Sequence, residues 1–159
     1  MQSTLQTAPV SKARLWTGRI LSALAVLFLL FDGVIKLMNI APVAESFTRL
    51  GYPVSVALGI GILELICLAI YLIPRTSALG AILLTGFLGG AIATHVRVGD
   101  PLFSHVFFPT YIGLLVWGGL WMREGRLRAL IPLRSEPTPA SHPPARESVR
   151  LAEFAEQRS

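Results

Sequence analysis

Four apolar runs, each about as long as a bilayer is thick, constrain this chain more than any other feature. They cover roughly residues 20–40, 54–73, 77–96 and 106–122. At about 1.5 Å rise per residue, a helix of some 20 residues crosses a hydrocarbon core of about 30 Å. Lipid offers open backbone groups no partner, so only helices suit these runs. The alternation at every second residue that marks a barrel strand is absent. The expected fold is therefore all-α, an integral membrane four-helix bundle. Composition agrees. Charged residues make up 14% of the 159, against about 25% in a soluble domain. Such a chain cannot hydrate the surface of a soluble domain, which excludes an ordinary water-soluble enzyme.

The charges are placed unevenly. Residues 20–122 hold eight, and residues 135–159 hold seven. The domain expectation follows: a disordered segment over 1–15, a transmembrane domain over 16–132, and a disordered, Pro-rich cytoplasmic tail over 133–159. Pro137, Pro139, Pro143 and Pro144 break any helix in that tail, although 151–158 reads as a frayed one. Lys12, Arg14 and Arg19 precede the first run as in a signal peptide. The run is too long, and no small-residue cleavage site follows it, so it reads as a retained first span. Near the span ends, eight Lys and Arg fall on the N-terminal side of the bundle. Three, Lys36, Arg49 and Arg97, fall on the other. That bias puts both termini in the cytoplasm. Trp16, Trp117 and Trp121 then lie toward the inner face and Tyr52 toward the outer. The net charge of +5 suits anionic lipid headgroups. No basic stripe with interleaved aromatics suggests nucleic acid.

The connections carry their own signals. Pro42 can start a short helix in which Val43, Phe47 and Leu50 share a face, with Gly51-Tyr52-Pro53 ending it. This reads as an interfacial helix on the outer membrane face. Pro74-Arg75-Thr76 is so short that spans two and three must be antiparallel neighbours. Gly99-Asp100-Pro101 marks a turn within the third connection, roughly 97–105.

Three ionisable residues lie inside the spans: Asp32, Lys36 and Glu64. A charge at the bilayer centre costs about 2.5–3.5 kcal/mol on insertion scales, so such groups should face inward and pair. Asp32 and Lys36, at i and i+4, share a helix face. At 1.5 Å per residue, Asp32 lies ~18 Å from the inner edge, Lys36 ~24 Å, Glu64 ~14 Å, Tyr111 ~17 Å and His95 ~27 Å, with Arg97 just beyond. All four spans thus contribute to a polar pocket opening outward, with Asp32, Lys36, Glu64, His95, Arg97 and Tyr111 as its ligand-binding candidates. Such a pocket suits a polar head such as a quinone ring, or a proton relay. The bland counterpart is a buried Asp32–Lys36–Glu64 salt bridge that only holds helix register. His95 and Arg97 sit at a span end and read more readily as interfacial polar groups, and His105 as a solvated loop residue.

Other candidates are weaker. The three histidines, 95, 105 and 142, make no metal or haem site. Cys67 is the single cysteine and reads as inert packing. Gly86 and Gly90 have GxxxG spacing, extended by Thr94, which reads as helix–helix packing inside the bundle.

Several motifs occur in a familiar order: Trp16-x-Gly18-Arg19, Asp32-Gly33-x-x-Lys36, Leu50-Gly51-Tyr52-Pro53, Glu64 and Pro74-Arg75-Thr76-x-x-Leu79-Gly80. Gly86-x-x-Gly89-Gly90-Ala91-x-x-x-His95-x-Arg97, Gly99-x-Pro101 and Trp121 follow. Over roughly 16–132 the chain resembles the DoxX-like family of small four-span bacterial membrane proteins. The resemblance implies a bundle in the bacterial cytoplasmic membrane. The family takes its name from a small subunit of a thiosulfate:quinone oxidoreductase, so kinship implies a redox or quinone link and a membrane or periplasmic redox partner. No residue here assigns a reaction. The expectation is a redox-associated membrane subunit with an intramembrane pocket for a quinone or similar ligand. The alternatives are a proton-linked small transporter, which would need a homo-oligomer to form a path, and a structural or assembly subunit with no site of its own.

Overall fold

The computed structural model describes residues 11–125 and residue 127. Helix α1 spans Lys12–Met38, starting earlier than its apolar run. Ser11 is the reason: its Oγ accepts from the Arg14 backbone N–H at 3.3 Å and caps the first turn. Residues 12–15, expected to be disordered, are therefore helical. Asn39 ends the helix in the left-handed region, φ 47°, with its N–H donating to the Lys36 carbonyl. The expected disordered tail over 133–159 and its frayed helix lie outside the described residues.

Helix α2, Ala41–Arg49, has Pro42 in its first turn, as the sequence predicts. Val43 and Phe47 bury one face against Ala57, while Glu45 and Arg49 stay exposed. Gly51, at φ 74°, turns the chain toward the next helix. Helices α3, Val56–Leu72, and α4, Ser77–Arg97, form the tight antiparallel pair expected from the short connection. The third connection is more ordered than a plain turn. After Gly99, at φ 72°, comes one π-helical turn, Leu102–Val106, leading into α5, Phe108–Arg123.

The protein is an all-α membrane bundle. Helices α1, α4 and the Leu102–Arg123 segment are long and apolar enough to cross a membrane, and α3 is a shorter apolar helix. The four long helices close a ring in which α1 touches α3 and α5, and α4 touches the same two. Ala25, Leu29, Leu68, Leu84, Val116 and Leu120 fill its centre and are almost wholly buried. Outside, Trp16, Leu27, Phe31, Ile66, Ile82 and Leu114 are each more than half exposed. An apolar exterior of this extent suits lipid and not water.

In lipid, the helices associate by close packing more than by apolar burial. A Cβ on Gly80 would sit 2.3 Å from the Tyr71 Cα, so α3 and α4 touch backbone to backbone there. Farther along α4 they part. A Cβ at Gly86, Gly89 or Gly90 would meet nothing within 4 Å. This corrects the reading of Gly86 and Gly90 as packing residues: the contact glycine of α4 is Gly80, and the GxxxG face borders open space.

Candidate functional site

Gly33 and Gly61 bring α1 and α3 together, since a Cβ on Gly61 would lie 3.0 Å from the Gly33 carbonyl and 2.9 Å from the Lys36 Cβ. That approach sets Lys36 beside Glu64. The Lys36 Nζ donates to Glu64 Oε2 at 2.8 Å and also to Asp32 Oδ2. Glu64 is fully buried, Lys36 is 14% exposed and Asp32 is 31% exposed. Two carboxylates thus share one ammonium, and an ammonium has three N–H donors, so one remains. Glu64 Oε1 is buried and has no hydrogen-bond partner among the described residues. Asp32, Lys36 and Glu64 are thus paired with one another across α1 and α3.

A second cluster joins α2 to the end of α4. Arg49 donates to Asp100 Oδ1 at 2.5 Å, and His95 Nδ1 lies 2.6 Å from Asp100 Oδ2. These hydrogen bonds, the one from Arg49 foremost, hold the Asp100 carboxyl below its ordinary range. Arg97 donates to the Leu50 carbonyl at 2.6 Å and stacks over the Tyr52 ring at 5.0 Å. The Tyr52 hydroxyl shares a 3.1 Å hydrogen bond with Thr94. Three polar ties therefore pin α2 and its turn against α4.

Where α3 and α4 part they leave a cleft of about 600 Å³. Ile60, Leu63 and Cys67 line one wall, and Ile82, Gly86, Gly90 and Ala91 the other. At the α2 end the lining becomes polar with Lys36, Thr94 and His95, under Phe47 and Leu50. A smaller cleft of about 370 Å³ adjoins it, bordered by Asp32, Ser46, Arg49 and His105. Lys36, Phe47, Leu50 and His95 line both.

Comparison with known proteins adds one finding. The model of the DoxX-like family matches residues 20–119, well over half of the chain. The chain belongs to the DoxX-like family. No curated protein and no solved structure matches it. The matched residues hold both polar clusters and both clefts, whereas Trp16-x-Gly18-Arg19 and Trp121 lie outside them. Membership establishes the family and a membrane setting; it assigns no reaction.

Within this DoxX-like bundle the predicted residues divide. Asp32, Lys36 and Glu64 converge, and His95 borders the same clefts as Lys36. Glu64 lines neither cleft and serves the cluster from beneath Lys36. Arg97 also lines neither; it holds α2 in place. Tyr111 is 45% exposed and turned away from the site. The reason is the rotation of α5, which buries Ile112, Val116 and Leu120. Tyr111 stands about 100° around the helix from Ile112. The expectation that all four spans contribute fails with it, because α5 lines neither cleft. His105 is exposed, as expected of a loop residue. Its Nδ1 lies 2.8 Å from Ser104 Oγ, and its ring sits 5.9 Å from that of His95.

Two residues escaped the sequence reading. Asp100, which the sequence marks only as part of a turn, orients His95. The available signal was a carboxylate five residues beyond a span-end histidine, across a Gly. Tyr71 lies within the second apolar run, where nothing in the sequence singles it out. Its buried hydroxyl donates to the Val116 carbonyl at 3.1 Å and shares a 3.0 Å hydrogen bond with Ser22, tying α3 to α5 and α1.

Proposed function

We propose that this protein is a redox-associated membrane subunit that holds a lipid-soluble ligand with a polar head, a quinone or a similar molecule, in the α3–α4 cleft. The observation that carries the reading is the form of that cleft: apolar walls, with Lys36 and His95 together at one end. Ligand sites typically occupy about 300–1,000 Å³ and pair apolar walls with a few polar groups. At about 600 Å³ this cleft falls in that range. Leu63 and Ile82 on its walls are also exposed on the apolar exterior, so a ligand dissolved in lipid reaches it sideways. A quinone fits the lining: its isoprenoid chain lies along α3 and α4, and a ring oxygen accepts from the third Lys36 N–H. In this reading both termini are cytoplasmic, the α2 end faces outward, and a membrane or periplasmic redox partner exchanges with the ligand there.

The test is a titration of purified full-length protein with a prenylated benzoquinone, beside an organic extract of the protein as isolated. Saturable binding at one ligand per chain is expected. Gly86→Leu with Gly90→Leu should abolish it, because both side chains would fill the cleft without touching the fold. Lys36→Leu combined with Glu64→Leu should weaken it without stranding a buried charge. No quinone in the extract and no saturable binding would refute the proposal.

A further inference from the structure

The hydrogen-bonding inventory at the polar end of the cleft narrows the ligand class. Lys36 offers only N–H donors, two of which are taken by Asp32 and Glu64. His95 is more specific. Its Nδ1 lies 2.6 Å from Asp100 Oδ2, and Arg49 holds the other oxygen of that carboxylate at 2.5 Å. An ionised carboxylate only accepts, so the proton of the neutral imidazole sits on Nδ1. The hydrogen bonds that depress the Asp100 carboxyl keep it ionised at neutral pH. In the neutral form of His95, Nε2 is then a lone-pair acceptor. It has no hydrogen-bond partner among the described residues, and His95 lines both clefts. The rest of the cleft wall supplies little competition, because Thr94 is already engaged by Tyr52 and by the Gly90 carbonyl.

We infer that the preferred occupant carries a hydroxyl donor on its head, as in a hydroquinone or related phenol, which donates to His95 Nε2 while an oxygen accepts from Lys36. This rests on the lipid-soluble-ligand reading above and adds the polarity of the head. A dicarbonyl head satisfies Lys36 but leaves Nε2 facing a second acceptor. A head whose hydroxyls are capped as methyl ethers loses the donor while keeping its size. Asp100 acts here as a positioning residue: it never touches the ligand but selects the ring nitrogen that does.

The experiment compares three probes of one prenyl length on the full chain in lipid nanodiscs without oxygen, near pH 8. They are a prenylated hydroquinone, its quinone and its dimethyl ether. The hydroquinone should bind about tenfold tighter than either of the others, the usual scale for one buried hydrogen bond left unmade. His95→Phe should bring all three to similar affinity. Asp100→Asn should narrow the preference, because an amide also accepts a form protonated on Nε2, and Asp100→Glu should retain it. That ratio between probes separates positioning from mere support of the fold, which would weaken all three alike. Quinone or ether binding as tightly as hydroquinone, or an unchanged ratio in His95→Phe, overturns the inference and leaves the cleft reading standing. If none of the three binds, both fall.

Discussion

Replacing Lys36 with Met should be among the most damaging single changes in the bundle. Lys36 contacts both carboxylates, but they differ in exposure: Asp32 is 31% exposed and Glu64 fully buried. Asp32 can turn to water when its partner leaves. Glu64 cannot, and breaking one partner of a buried ion pair costs about 3–5 kcal/mol. Proton uptake bounds that figure. Protonating a carboxylate of ordinary value near 4.3 at pH 7 costs about 3.7 kcal/mol. Met keeps most of the packing of the lysine stem, so the loss should fall near 3–4 kcal/mol. Asp32→Asn should cost under about 1 kcal/mol, as a half-solvated pair does. Glu64→Gln leaves Lys36 with Asp32 and should cost about 1 kcal/mol. Lys36→Met in a Glu64→Gln background strands no charge. The cycle should therefore show a coupling of about 2 kcal/mol or more. Reversible unfolding in mixed micelles, followed by tryptophan fluorescence, measures all four. Lys36→Met within about 1 kcal/mol of wild type, or a double variant whose loss is the plain sum of the singles, would refute the reasoning.

The remaining predictions test other parts of the molecule. Gly80→Ala should lower stability by about 1–3 kcal/mol, because its Cβ would press on the Tyr71 backbone at 2.3 Å. Gly86→Ala, with nothing within 4 Å, should be neutral or gain up to about 1 kcal/mol of helix propensity in the same unfolding assay. Tyr71→Phe should cost about 1–2 kcal/mol, since it leaves Ser22 and the Val116 carbonyl without their buried partner. Asp100 gives a pH signature. Its carboxyl is held below the ordinary 3.8, chiefly by the Arg49 hydrogen bond and next by that from His95. A depressed folded value means that the unfolded chain binds the proton more readily. The stabilisation is thus fully present above pH 3.8 and lost as pH falls through the lower folded value. Wild type should exceed Asp100→Asn in unfolding midpoint at neutral pH, and the two should converge in strong acid.

How much of this was legible in the sequence depended on what each residue type costs in lipid. Asp32, Lys36 and Glu64 were legible because an intramembrane charge must find a partner, and the i, i+4 spacing fixed one pair in advance. Helix α2 was legible because Pro42 and the Val43/Phe47 face form a polar–apolar contrast. Helices α3, α4 and α5 are apolar nearly all round, so their sequences carry no contrast that sets rotation about the axis. For that reason the sequence alone points Tyr111 inward and Gly86 and Gly90 to a packed face, and the structure does neither. Only the ring of neighbours decides these, through Gly80 against Tyr71 and through the Ile112–Val116–Leu120 row. The tie between His95 and Asp100 was hidden differently. It crosses a turn at Gly99 whose geometry no helical period describes. Ser11, by contrast, is a readable cap signal, a serine directly before the first helical residue.

Ligand stoichiometry tests most directly whether the cleft between α3 and α4 is a binding site. Equilibrium binding of a prenylated hydroquinone to full-length protein in nanodiscs should saturate at one per chain. It should vanish in Gly86→Leu/Gly90→Leu while the unfolding midpoint stays at or above that of wild type. Binding that never saturates, or that survives unchanged when the cleft is filled, would contradict it.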